Sequence, residues 1–184
     1  MIKDVYETER LRLFLSNPEM VHEVTDYFIR NKEFLKEVEP IRPDEYYTEE
    51  YQKKCLINDF LFTNNASCFK FWITKKDSDR VIGVLNFNGI IKGSFSSCFL
   101  SFRLDKDEVR NGYMTEAIKK GICIAFSDLG LHRIEANIMP NNQASIDLVE
   151  KLGFYNEGIA KKYLKIHGKW EDHIHMVIRN EEIE

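Results

Sequence analysis

SCFLSFRLDKDEVRNGYMTEA, Ser97 to Ala117, changes its period half-way along. Its first eight residues, Ser97–Leu104, are rich in aromatic and apolar side chains and suit a strand. A polar segment with one glycine, Gly112, interrupts them. From Tyr113 onward the apolar residues recur at helical spacing. That helix is expected to run to Leu129 and to stop at Gly130, a natural position for a left-handed terminating glycine. HRIEANIM, His132–Met139, then alternates as a strand, and Pro140 closes it. Strand, helix and strand form a crossover, which predicts that Ser97–Leu104 and His132–Met139 run parallel. Gly112 therefore belongs at the carboxyl end of a strand and the amino end of a helix. The first N–H groups of a helix lack partners and carry the positive end of its dipole, so the position suits an anion. Ligand crevices in open sheets form at this level.

Outward from this unit the pattern continues. Leu11–Leu15, LRLFL, reads as a strand. Asn17 and Pro18 are a helix start, and Met20, Val24, Phe28 and Ile29 form the expected apolar stripe of a helix that fades before Pro40. A second helix is expected from Thr48, with Tyr51, Cys55, Leu56 and Phe60 on its buried side. Cys68–Thr74 and Arg80–Phe87 read as strands joined by the KKDSDR turn. EPIRPDEYYT (Glu39–Thr48) and IIKGSFSS (Ile90–Ser97) read as irregular. Beyond Pro140, Asn142–Leu152 reads as a short helix ended by Gly153. Two strands follow, about Phe154–Tyr163 and Trp170–Ile178, around a tight turn at Gly168. The sum is an α/β (α+β) class with a mixed sheet of about seven strands and about four helices. No long flexible linker divides residues 1–184, so one domain is expected.

The chain has 184 residues, with a formal net charge of −4, which excludes a broad basic grip on nucleic acid. No stretch of about 18 apolar residues is present to span a membrane. The four cysteines show no CxxC pair and no zinc spacing, so no metal is expected. Cys55, Cys68, Cys98 and Cys123 all lie in apolar surroundings and read as reduced core thiols of a cytoplasmic protein.

The stretches NGYMTEA, LGLHRIEANIMPNNQAS, LVEKLGFYNEGIAKKYLKIHGKWEDH and the opening TERLRL resemble the GNAT acyl-CoA N-acyltransferases. More narrowly, they are similar to the branch that acetylates the N-terminal alanine of a ribosomal protein. The resemblance implies a splayed sheet with acetyl-CoA wedged between the two parallel strands. The pantetheine arm would pair with backbone near Phe102, Arg103 and Leu104. The pyrophosphate loop of the family, Gln/Arg-x-x-Gly-x-Gly/Ala, falls on Val109, Arg110, Asn111, Gly112, Tyr113 and Met114, with Thr115 next in the helix. The central glycine matches, while Val109 and Met114 depart from the pattern. A bulky Met114 is expected to crowd a diphosphate there, and Arg110 is a candidate phosphate contact.

Amide formation from a thioester needs a neutral amine, a stabilised oxyanion and a protonated leaving thiolate. Many family members supply that proton from a tyrosine at the position of Val149. In the alanine-acetylating branch a serine one turn earlier does so, and Ser145 matches it. Ser145 also reads as a first-turn serine that helps to cap its helix. Asn142 matches a pantetheine contact and also reads as the N-cap. The base is less legible. The glutamate of the branch aligns with Leu164, which leaves Glu135 as the candidate, with His132 and His173 beside it. Asp172 and His173 read as local hydrogen-bond partners. An α-amine, with a pKa near 8, is neutral at pH 7 roughly a few hundred times more often than a lysine. A weak base therefore favours an N-terminal acceptor. The alternatives are a small amine drawn by Glu37, Glu39, Asp44 and Glu45, and a non-catalytic acyl-CoA-binding module. A homodimer is also compatible with the family.

Overall fold

The computed structural model describes residues 2–184, with the side chain of Glu37 outside the described set. Eight strands form one sheet: β1 (Val5–Glu7), β2 (Leu11–Leu15), β3 (Phe69–Lys75), β4 (Val81–Ile91), β5 (Ser97–Leu104), β6 (Arg133–Ile138), β7 (Tyr155–Ile166) and β8 (Lys169–Arg179). Their order is β1-β2-β3-β4-β5-β6-β8-β7. The crossover makes β5 and β6 parallel, and the other neighbouring pairs are antiparallel. The sheet has eight strands where the sequence suggested seven. The extra one, VYE, is too short to show a period of two, although Tyr6 is buried.

Four α-helices cover the sheet: α1 (Val21–Leu35), α2 (Glu49–Asn64), α3 (Tyr113–Cys123) and α4 (Gln143–Glu150). Alternation along the strands divides the core into two layers. On one face Leu13, Phe71, Leu85, Phe87 and Met176 pack with Ile118 of α3 and Val149 of α4. On the other, Trp72 and Val84 pack with Val24, Tyr27 and Phe28 of α1 and Leu56 of α2. The helix starts are the expected ones. Asn17 accepts from the Glu19 N–H at a 3-10 turn leading into α1, and Thr48 accepts from the Tyr51 N–H at the start of α2.

Three apolar assignments differ. Ile29 is 55% exposed and Phe60 is 47% exposed, because each lies off the stripe that meets the sheet. The inward face of α2 is Gln52, Leu56 and Asp59. Its polar members are satisfied. Gln52 donates to the Tyr46 carbonyl, and Asp59 accepts from Lys70 and from Ser16, whose hydroxyl in turn accepts from Trp72 Nε1. Cys98 is buried, Cys55 and Cys68 are half-buried, but Cys123 is exposed, so it is not a core thiol.

The helix after Gly112 reaches Asp128, one residue short of the expected Leu129, and its last turn, Ile124–Asp128, is π-helical. Where α3 crosses β4, Gly121 is the contact. A Cβ there would lie 2.5 Å from Leu85 Cδ2 and 2.9 Å from Phe87 Cζ.

Candidate active site

β5 and β6 pair only through Ser97–Arg133, Cys98–Ile134 and Phe99–Glu135. Beyond those three pairs, β5 continues to Leu104 held by β4 alone, and β6 continues to Ile138 held by β8 alone. The sheet therefore splits into a wedge with a free strand edge on each wall. Phe102 and Leu104 turn toward the α3 layer. Arg103 turns the other way and forms an ion pair with Glu39. α3 follows the open end of β5 and α4 follows the open end of β6, so both helix starts stand at the mouth of the wedge.

The loop into α3 is built for backbone exposure. Asp105 is buried and accepts from the Asp107 N–H, which fixes the turn Lys106–Glu108. Arg110 and Gly112 have φ of +64° and +78°. The left-handed glycine turns the chain into the helix and supplies no capping side chain. The first amide groups of α3 are thus left for an outside acceptor. Val109, Arg110 and Asn111 are exposed on this loop, while Tyr113 and Thr115 are half-buried. Met114 is 4% exposed and belongs to the core, so it does not crowd the loop. Its helical position points it under the sheet, which the loop pattern alone did not reveal.

Three residues that the sequence left without a role surround this loop. Arg10 donates from Nη1 to the Asn111 carbonyl (3.0 Å) and from Nε to Glu116 (2.7 Å), and its guanidinium lies 4.6 Å from the Tyr113 ring centroid. Thr8 also donates to Glu116. Burial pushes the Glu116 carboxyl up, but the Thr8 and Arg10 hydrogen bonds hold it below its ordinary range. The TERLRL and YMTEA stretches carried this constellation in separate halves of the chain.

On α4, Asn142 is the N-cap. Its Oδ1 accepts from the Ser145 N–H at 3.2 Å. Ser145 thus contributes its amide to the cap, and its half-buried hydroxyl has no hydrogen-bond partner among the described residues. Val149, one turn further, is fully buried.

The far wall of the wedge carries Glu135. It accepts from Arg133 at 2.9 Å and contacts His175 Nδ1 at 2.7 Å. Burial pushes its carboxyl up, yet the hydrogen bonds of Arg133, His175 and Asn137 hold it below the usual range, so it is ionised. Tyr163 accepts from Asn137 at 3.3 Å, and its ring stands edge-on to His175. The sequence pointed to other histidines. His132 pairs with Glu184, and His173 Nδ1 meets the Glu171 carbonyl. Asp172 binds Lys161 and the Lys162 N–H rather than His173. Leu164 is exposed. His175 carries no signal of its own, since it fits the alternation of a strand.

Over the α1 face, a cleft of about 130 Å³ is lined in part by Asn31, Glu39, Arg42, Tyr46 and His167. Glu39 is buried between Arg103 and Arg42, and Asp44 pairs with Lys32, so two of the expected attracting acids are already neutralised. Glu45 is exposed, and the side chain of Glu37 lies outside the described residues. The β7–β8 turn meets this loop, with a Cβ at Gly168 placed 3.7 Å from Ile41 Cδ1.

A mixed sheet that opens at its parallel pair, with an uncapped glycine-led helix at the mouth, is the architecture of an acyl-CoA-dependent transferase. The chain belongs to the GNAT acetyltransferases: the model of the acetyltransferase (GNAT) domain matches residues 9–155. It is 40% identical over 150 residues to the probable N-acetyltransferase YjcK of Bacillus subtilis, covering 82% of this chain and 83% of that one. It is 37% identical over 169 residues to the [ribosomal protein uS5]-alanine N-acetyltransferase of Escherichia coli, covering 91% and 86%. The solved structure of Mycobacterium smegmatis RimJ in complex with CoA-disulfide superposes with a TM-score of 0.91, covering 97% and 88% at 22% identity. Among the described residues no helix is long and apolar enough to cross a membrane.

Proposed function

We propose that this N-acetyltransferase takes acetyl-CoA as its donor and the α-amine of a protein N-terminus, alanine-led and ribosomal, as its acceptor. The observation that carries this reading is the likeness to the uS5-alanine enzyme over 91% of the chain, which spans both walls of the wedge and the loops above it. The pairing of Glu39 with Arg103 and Arg42, and of Asp44 with Lys32, agrees with it, because these two carboxylates are already engaged and are less able to collect a polycation.

Bound acetyl-CoA supplies a thioester carbonyl that a neutral amine attacks. The residues present fit it. The free edge of β5 at Phe102, Arg103 and Leu104 offers backbone partners to a pantetheine arm, and Asn142 stands at the mouth of the same wedge. The amides of the Val109–Thr115 segment would hold the coenzyme diphosphate. Glu135, ionised and beside the opening, accepts the proton of the α-ammonium, directly or through water. Ser145 gives its hydroxyl proton to the departing thiolate and recovers it from solvent. Holding donor and acceptor together in the wedge supplies the remaining advantage.

Thiol release from acetyl-CoA with an alanine-led peptide, and in parallel with spermidine, tests the reading. Peptide-dependent release is the expected outcome. Release with spermidine alone moves the acceptor to small amines, and coenzyme A binding without turnover on any amine makes the chain a binding module.

A further inference from the structure

We propose that Arg10 is a positioning residue for the coenzyme diphosphate, supplying from the turn just before β2 the side chain that the loop lacks at Val109. This rests on the acetyl-CoA reading above. The guanidinium lies across the loop where it enters α3. One arm holds the Asn111 carbonyl, and Nε holds Glu116. The flat face rests on Tyr113. The third nitrogen, Nη2, has no hydrogen-bond partner among the described residues and lies 3.5 Å from where a Cβ on Gly112 would sit. The backbone N–H of Arg10 binds Glu116 as well, at 2.8 Å, so the side chain starts from a fixed base.

Three effects follow from that geometry. Drawing the Asn111 carbonyl to the Arg10 side leaves the succeeding amides as the groups that face outward. Pairing Glu116 removes an otherwise bare carboxylate from the first turn of α3, where it would repel a diphosphate and compete for the helix dipole. The free Nη2 keeps a charged donor beside the turn, and a guanidinium retains that charge at every working pH. The sequence pattern places this task within the loop. Here the task is carried by a residue 101 positions before Asn111.

Calorimetry with coenzyme A and with pantetheine, which has no phosphate, tests the assignment on wild type, Arg10→Met and Arg10→Lys. Arg10→Met is expected to weaken coenzyme A binding roughly ten- to hundredfold, the range of a lost charge-assisted contact, while pantetheine binding holds. Arg10→Lys keeps the charge without the fork and is expected to fall between. Coenzyme A affinity within twofold of wild type in Arg10→Met overturns the proposal. So does an equal loss for pantetheine, since the change then acts on the fold as a whole. Coenzyme A failing to bind even the wild type removes both this proposal and the donor reading, a result distinct from the other two.

Discussion

The Ser145 hydroxyl stands in the first turn of α4, with the capping work already done by Asn142. Removing it therefore costs the cap nothing and isolates its chemistry. Ser145→Ala is expected to lower turnover by roughly ten- to a thousandfold, in the range of a lost proton donor, with coenzyme A affinity nearly unchanged. Steady-state rates beside calorimetry check this, and an unaltered rate would leave Ser145 without a role in the reaction. At this scale the sequence shows those residues whose task is local. Gly112 and Asn142 stand where backbone geometry demands them, and their neighbours in the chain announce them. Arg10 and His175 act on residues far away in the chain, and nothing adjacent marks them. Met114 misleads for the converse reason, since its partners are core residues that the loop pattern does not include.

Among the elements, α3 depends on a close approach. Gly121 lets the helix lie on Leu85 and Phe87 with no room for a methyl group. Gly121→Ala gains a little helix propensity, but the inserted carbon forces the sheet and helix apart. A net loss of about 1–3 kcal/mol is expected, measured as a lower midpoint in urea unfolding. An unchanged midpoint would mean that the two side chains move aside freely. Helices were legible where caps are strong, as at Asn17, Thr48 and Asn142. The buried face of α2 was not. Its inward positions, Gln52 and Asp59, look like surface residues until Tyr46, Lys70 and Ser16 are known to meet them. The strand β1 is invisible for want of length, and it exists because β2 offers it an edge.

For the molecule as a whole, buried charge ties the layers together. Asp105 is fully buried and joins α1, β4 and β5. It accepts from Arg30 at 2.8 Å and Arg80 at 3.4 Å, while Asn31 of α1 accepts from the Lys106 N–H. Burial pushes the Asp105 carboxyl up, but the Asp107 amide, Arg30 and Asn31 bring it below its ordinary value. A carboxyl depressed on folding contributes stability that is fully present above the unfolded pKa, near 4, and is lost as the pH falls through the lower folded value. Glu116 and Glu135 have the same sign. The melting temperature is therefore expected to fall steeply once the pH drops below about 4. Asp105→Asn should flatten that fall while costing about 3 kcal/mol at pH 7, because a buried partner of Arg30 is lost. Thermal melts across pH 3–7 on both proteins decide it, and parallel curves would exclude Asp105 as a source. The overall topology was the most legible level. One βαβ crossover fixes the parallel pair, and short turns order the rest.

The strand order also has a temporal side. β8 lies between β6 and β7, although it is made after both. While the chain is being synthesised, at roughly 5–20 residues per second, β7 emerges with no neighbour to bond to. Strands β1 to β5 can each dock on the one before, but β7 must wait as a loose ribbon until β8 threads in beside β6. The β6-β8-β7 end of the sheet thus closes in one late step. A chain that has emerged only as far as the β7–β8 turn would have β1 to β5 paired while β7 still lacks its partner.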